Sequence, residues 1–135
     1  MLKFSEIKKG DYLIADNDGD ARRGEVTNLK GVEHQVCVDN GIQEFWYEMN
    51  QLSPLQLNDA ELANLRFTKE KMDDGSVKYS KGAFRMMIPA EGDFSRLELW
   101  YRDEQRHVSH PIPVHVLQNH FHDMTKVHLN DEVFG

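Results

Sequence analysis

Leu97-Glu98-Leu99-Trp100-Tyr101-Arg102 sets Leu97, Leu99 and Tyr101 against Glu98, Trp100 and Arg102. A period of two over six residues marks a half-buried strand, because successive side chains of an extended chain point to opposite faces. Upstream, Phe84, Met86 and Ile88 alternate in the same way within 83–88, and Pro89-Ala90-Glu91-Gly92-Asp93 supplies the turn between the two. Two more strands, 67–71 and 77–80, flank the turn Asp73-Asp74-Gly75, and Lys81-Gly82 breaks the chain before residue 83. Asp103-Glu104-Gln105 turns into a last short strand at 106–110. Strands joined by such short turns predict an antiparallel meander.

A helix is predicted to cover that sheet. Val114, Leu117, Phe121 and Met124 fall at i, i+3, i+7 and i+10, one apolar stripe over about 113–125, and Pro113 suits a first helical turn. A shorter helix over about 58–65 starts at Asn58, whose side chain can cap the turn while Glu61 occupies the third helical position; Leu57 and Leu62 can close around it. Val127 and Leu129 read as a short edge strand. The first 55 residues carry strands at 12–15, 23–29, 33–38 and 42–47. The turns between them include Asp16-Asn17-Asp18-Gly19-Asp20 and Asp39-Asn40-Gly41, the latter an Asn-Gly pair suited to a type I′ hairpin. Short strands at even spacing predict a small barrel or curled sheet. The fold class is therefore α+β: a small β-barrel over 1–55, then an antiparallel β-meander with a short helix and a C-terminal helix over 56–135.

Three stretches carry a resemblance: Ile7-Lys8-Lys9-Gly10-Asp11-Tyr12-Leu13, Ser53-Pro54-Leu55-Gln56-Leu57 and Val114-His115-Val116-Leu117-Gln118-Asn119. In this order they make the chain resemble a group of small uncharacterised bacterial and phage proteins. In that group an I-x-x-G-D/N-x-V/L segment opens an SH3-like barrel, a P-L-T linker leads to a strand meander, and a V-H-x-L-Q-N helix closes the chain. The resemblance implies an SH3-like N-terminal barrel and no particular activity. The sequence departs from the pattern at His120, His122 and Thr125-Lys126.

Composition narrows the function classes. The chain has 135 residues, 16 basic and 23 acidic, for a formal charge of −7. The excess is spread over the chain, which argues against sequence-independent binding to a phosphate backbone. No apolar run reaches the roughly 18–20 residues of a membrane span. MLKFSEIKKGD has no apolar segment after its lysines, so no secretory leader is expected. The lone Cys37 cannot form an internal disulfide, and a cytoplasmic location is expected.

Six of the seven histidines (His107, His110, His115, His120, His122 and His128) lie in the last 29 residues. None pairs with another at i+4, and His115 and His122 stand about 10.5 Å apart along a helix, too far to share one ion. The acidic loop at 16–20 fails as a calcium loop, since Ala21 and Thr27 stand where glycine and glutamate are needed. No nucleophile motif, activated cysteine or carboxylate pair is present, so no catalytic residue, metal or cofactor is assigned.

What remains are aromatic and amide positions. In Phe45-Trp46-Tyr47 an alternating strand turns at least one ring outward, so Trp46 and Tyr47 are candidate ligand-binding residues, like the aromatic surfaces of peptide-binding barrels; the bland alternative buries all three rings between modules. Trp100, opposite Leu97 and Leu99, is another candidate. His115, Gln118 and Asn119 on one flank of the C-terminal helix can line a cleft or fix the helix by hydrogen bonds. The expectation is a non-catalytic binding or interaction protein for a protein or small-molecule partner, compatible with a homo-oligomer and without membrane attachment. The alternatives are a small histidine-using or metal-dependent enzyme in the C-terminal part, and a nucleic-acid-binding accessory of a mobile element.

Overall fold

Two residues close the first hairpin. Asp18 and Gly19 have φ values of 54° and 86°, both left-handed, as a type I′ turn requires. Asn17 and Asp20 are thereby locked opposite each other, and the Asp16 carboxylate accepts from Gly19 N at 2.8 Å. From this turn β1 (Tyr12–Asn17) and β2 (Asp20–Lys30) run antiparallel. Strands β3 (Gln35–Asp39) and β4 (Glu44–Glu48) follow, then a 3-10 turn (Met49–Gln51) and β5 (Leu52–Ser53). The Asn40-Gly41 pair does not make the expected two-residue hairpin. Asp39 pairs with Glu44 across a four-residue loop, because the Asn40 side chain accepts from both Ile42 N and Gln43 N and the Asp39 side chain from Gly41 N. Local side-chain bonds thus outcompete the tighter turn.

The computed structural model describes residues 2–126, so the strand expected at Val127 and Leu129, and His128, lie outside the described residues. The chain divides into two compact units. The first runs to Gln56 and takes in Pro113–Val116; the second comprises Leu57–Ile112 and the chain from Leu117. The class is α+β, with two five-stranded antiparallel sheets.

The first sheet has the order β4-β3-β2-β1-β5, and its edge strands β4 and β5 do not pair with each other. It is an open sheet, and the expected barrel is not closed by hydrogen bonds. β5, only two residues long, pairs with β1 alone. Leu13, Ala15, Val26, Val36, Val38, Tyr47 and Leu52 form its core, joined by Leu2 and Ile7. A register shift between Val26 and Asn28 lets the long β2 change its pairing toward β3. Gly24 of β2 lies tight against β3: a Cβ there would press into Val38 Cγ1 and come within 2.9 Å of the Asp39 carbonyl oxygen.

The second sheet is a meander in chain order: β6 (Thr68–Lys71), β7 (Val77–Lys81), β8 (Phe84–Ile88), β9 (Leu97–Tyr101) and β10 (Glu104–Val108). One face buries Val77, Tyr79, Phe84, Met86, Ile88, Leu97 and Leu99. Helix α2 (Val114–Thr125) contributes Leu117, Phe121 and Met124 to the buried set, with the Phe121 and Phe84 rings 4.9 Å apart. Helix α1 (Asp59–Asn64) starts as expected, with Asn58 Oδ1 accepting from Glu61 N at 2.9 Å. It is tied down at both ends: Tyr79 donates its hydroxyl to Asp59 at 2.9 Å, and the buried Lys81 ammonium donates to Leu65 O at 3.0 Å. No helix among the described residues is long and apolar enough to cross a membrane.

Two stability tests follow from these contacts. Gly24→Ala is expected to cost about 1–3 kcal/mol, because a backbone carbonyl as well as a methyl group must move. Asn58→Ala is expected to cost about 1 kcal/mol through loss of the cap. Urea denaturation followed by circular dichroism measures both.

Candidate functional site

The sequence-derived positions fall in three places. On β4 the cross-strand partners are Val38 for Phe45, Cys37 for Trp46 and Val36 for Tyr47. Alternation turns Phe45 and Tyr47 toward the core and Trp46 away from it. Tyr47 is 2% exposed and meets Phe45 edge-on at 6.3 Å, and burial pushes its phenol above the usual range. Its ring is a core ring and is not offered to a ligand. Trp46 is 40% exposed, so the aromatic strand is not wholly buried. The Lys30 ammonium stands 4.4 Å from its ring centroid. Glu44 and Glu48, two residues to either side, are exposed. Glu44 accepts from Cys37 Sγ and Thr27 Oγ1, each at 3.4 Å, and Glu48 from Gln35 Nε2 at 2.7 Å. Cys37 is buried, and desolvation, reinforced by the Glu44 and Asp39 charges, raises its thiol pKa, the opposite of what a nucleophile needs.

Trp100 lies on the second sheet, on the face opposite Leu97 and Leu99. Arg85 of β8 is its direct partner, and Lys78, Met87, Glu98 and His107 form the adjacent row across β7, β8, β9 and β10. Lys78, Arg85, Met87 and Trp100 line a hollow of about 220 Å³. A neighbouring hollow of about 270 Å³ shares Met87 and is also lined by Asp74, Ser76, Arg96, Glu98 and His107.

His115 sits in the first turn of α2 and belongs to the first unit, whereas Gln118 and Asn119 belong to the second. His115 is 2% exposed, and its Nδ1 has no hydrogen-bond partner among the described residues. Gln118 is buried and Asn119 half-buried. The group interacting with His115 is one that sequence reasoning missed. Asp11 is 0% exposed; its carboxylate accepts from Lys8 Nζ at 2.9 Å and from Lys8 N at 3.0 Å. Its carbonyl accepts from Val26 N at 2.8 Å, which anchors the segment to β2. Burial pushes the Asp11 carboxyl up, with Lys8 and His115 opposing; burial pushes the His115 imidazole down, with Asp11 and Glu6 opposing and Lys8 assisting. In the sequence, Lys8 to Asp11 reads as a turn before a strand, and only the i, i+3 spacing of opposite charges hints at a buried pair.

The remaining described C-terminal histidines are dispersed. His107 lies 3.5 Å from Glu98, His110 is 3.0 Å from the Pro111 carbonyl, and His120 is 2.9 Å from Arg106 Nη1. Among the described residues no group of three or more histidine, cysteine or acidic side chains is placed to hold a metal ion. The hollows beside Trp100 are lined by neither Asp11 nor His115, so those hollows bring no substrate to that acid–base pair. The chain matches no protein-family model, no curated protein and no solved structure.

The lowered His115 pKa has a definite sign in stability. Between its folded pKa and the unfolded value near 6.5, the unfolded chain binds more protons, so stability falls as pH drops through that window. His120, lowered by burial and by Arg106, acts in the same direction. The urea midpoint of the native protein is expected to fall between pH 7.5 and 5.5, and to fall less in His115→Gln. An equal fall in the variant would assign the effect elsewhere.

Proposed function

We propose that this protein is a non-catalytic binding module that seats a basic side chain of a partner protein on Trp46. The observation that carries this reading is the occupied indole: an ammonium from the chain's own Lys30 already stands on the ring at 4.4 Å. An aromatic face attracts a cation through its quadrupole, and the contact is worth about 0.5–1 kcal/mol at an exposed site. Glu44 and Glu48 add negative potential on both sides, so an incoming lysine or arginine meets ring and carboxylates together. Lys30 is the intramolecular competitor that such a partner displaces.

The strand order β4-β3-β2-β1-β5, with a 3-10 turn between β4 and β5, supports reading this unit as SH3-like, and the chain as akin to the bacterial and phage group it resembles. The histidine-based enzyme has weaker support, because His107, His110 and His120 are engaged separately by Glu98, Pro111 and Arg106.

A lysine-bearing extended peptide such as Gly-Lys-Gly-Lys-Gly, titrated into isotope-labelled protein, is expected to move the Trp46 indole N–H resonance saturably. Trp46→Ala should weaken binding about two- to fivefold, and Lys30→Met should tighten it by vacating the ring. A peptide that binds the Trp46→Ala variant equally well sinks the proposal.

A further inference from the structure

We propose that the outer face of the second sheet is a separate binding site, for a small ligand that joins a flat aromatic ring to an anionic group. It belongs to a different unit from Trp46 and does not depend on what Trp46 binds.

Three observations on one sheet face lead there. The first is the slot itself. Trp100 is partly exposed in the third strand of the row β7-β8-β9, and its hollow is lined by Met87, Lys78 and Arg85. Long basic side chains bury their aliphatic stems along apolar surface while their charged heads stay in water, so this slot is apolar in its walls and cationic at its mouth. At about 220 Å³ it is smaller than drug-sized pockets, which run from roughly 300 Å³ upward, and the Trp100 indole gives it a stacking surface for a small ring.

The second is uncompensated charge. In this acidic chain the basic side chains around the sheet are largely paired: Lys78 with Glu70 at 3.2 Å, Lys69 with Asp59 and Glu91 at 3.0 and 3.3 Å, and Lys71 with Glu91 at 2.9 Å. Arg85 is exposed and has no ion pair among the described residues, and it stands directly opposite Trp100 in the strand register. A guanidinium beside an indole offers a planar fork for phosphate or carboxylate next to a stacking surface.

The third is the adjoining hollow of about 270 Å³, which shares Met87. There Asp74 and Glu98 can accept hydrogen bonds from hydroxyls, Arg96 brings a charge of the opposite sign, and Ser76 and His107 add further polar partners. The anion is thus placed at Arg85 and the ring on Trp100, with the ligand's polar groups toward Glu98. A second copy of the chain fits poorly: a two-fold contact centred on Trp100 brings Arg85 and Lys78 of one copy against those of the other.

The test uses the full chain and follows both indole N–H resonances, assigned with Trp46→Phe and Trp100→Phe. Adenosine monophosphate and 2-naphthoate supply the phosphate and carboxylate arms; adenosine and inorganic phosphate supply the ring or the anion alone. One or both aromatic anions should move the Trp100 signal saturably and leave Trp46 in place, with the stronger arm naming the anion. Adenosine and phosphate alone should each bind about tenfold more weakly than adenosine monophosphate if phosphate is the anion. Arg85→Gln should weaken the aromatic anion about tenfold and leave adenosine unchanged, whereas Trp100→Ala should weaken every ring-bearing probe. The proposal is overturned if neither anion moves Trp100, if Arg85→Gln leaves the anions unaffected, or if sedimentation shows self-association that Trp100→Ala abolishes.

Discussion

Phe84 is the residue around which the second unit is organised. Its ring meets Phe67, just beyond α1, at 6.1 Å and Phe121 of α2 at 4.9 Å, and it is wholly buried. A strand cannot bury one residue without fixing the direction of the next. Phe84, Met86 and Ile88 point inward, so Arg85 and Met87 must point outward, and pairing with β9 then sets Trp100 beside Arg85. The outer face with its hollows is thus a by-product of core packing. Lys78, Arg85, Met87 and Trp100 stand on strands rather than on loops, a favourable base for recognition because little order has to be imposed on binding.

The first unit shows a different economy. Asp11 and His115 are polar groups withdrawn from water, and withdrawal of a charge is costly unless it is paired. Lys8 offsets part of the cost at Asp11 through two hydrogen bonds, one from its ammonium and one from its amide. His115 avoids it by favouring the neutral imidazole. Arrangements of this kind specify one geometry more than they stabilise it, since slippage of the segment strands a carboxylate in an apolar setting.

Period and punctuation made much of this fold legible. The alternation at 84–88 and 97–101, the Asn58 cap and the apolar stripe from Val114 to Met124 each correspond to an element in place, because each is a local property of a few residues. Turn geometry was less legible. Asn40-Gly41 carries a hairpin signal, yet competing bonds from the Asn40 and Asp39 side chains widen the loop to four residues, while the two-residue turn falls at Asp18-Gly19. Strand ends shifted too: β2 extends to Asp20 and Lys30, beyond its apolar run, because pairing with β1 carries one end and pairing with β3 the other. At the sites, sequence could propose rings but not their neighbours. That Lys30 lies on Trp46, or Arg85 beside Trp100, depends on register across strands, and that Tyr47 is interior while Trp46 is not depends on which face the sheet buries.

The two strand orders also bear on how the chain reaches its native state. In both sheets neighbouring strands are neighbours in sequence, with the single exception of β1 and β5, so nearly all of the pairing can zip hairpin by hairpin with short loops to close. Contacts that span longer stretches of chain include the two-residue pairing of β5 with β1, the Gln56–Pro113 bridge and the bond from Val114 N to Leu55 O in the first unit, and the Phe84–Phe121 ring contact in the second. Of those in the first unit, two use Pro113 and Val114, which follow the meander in sequence. The N-terminal sheet is thus synthesised first, while its last partners leave the ribosome only after the whole meander has emerged.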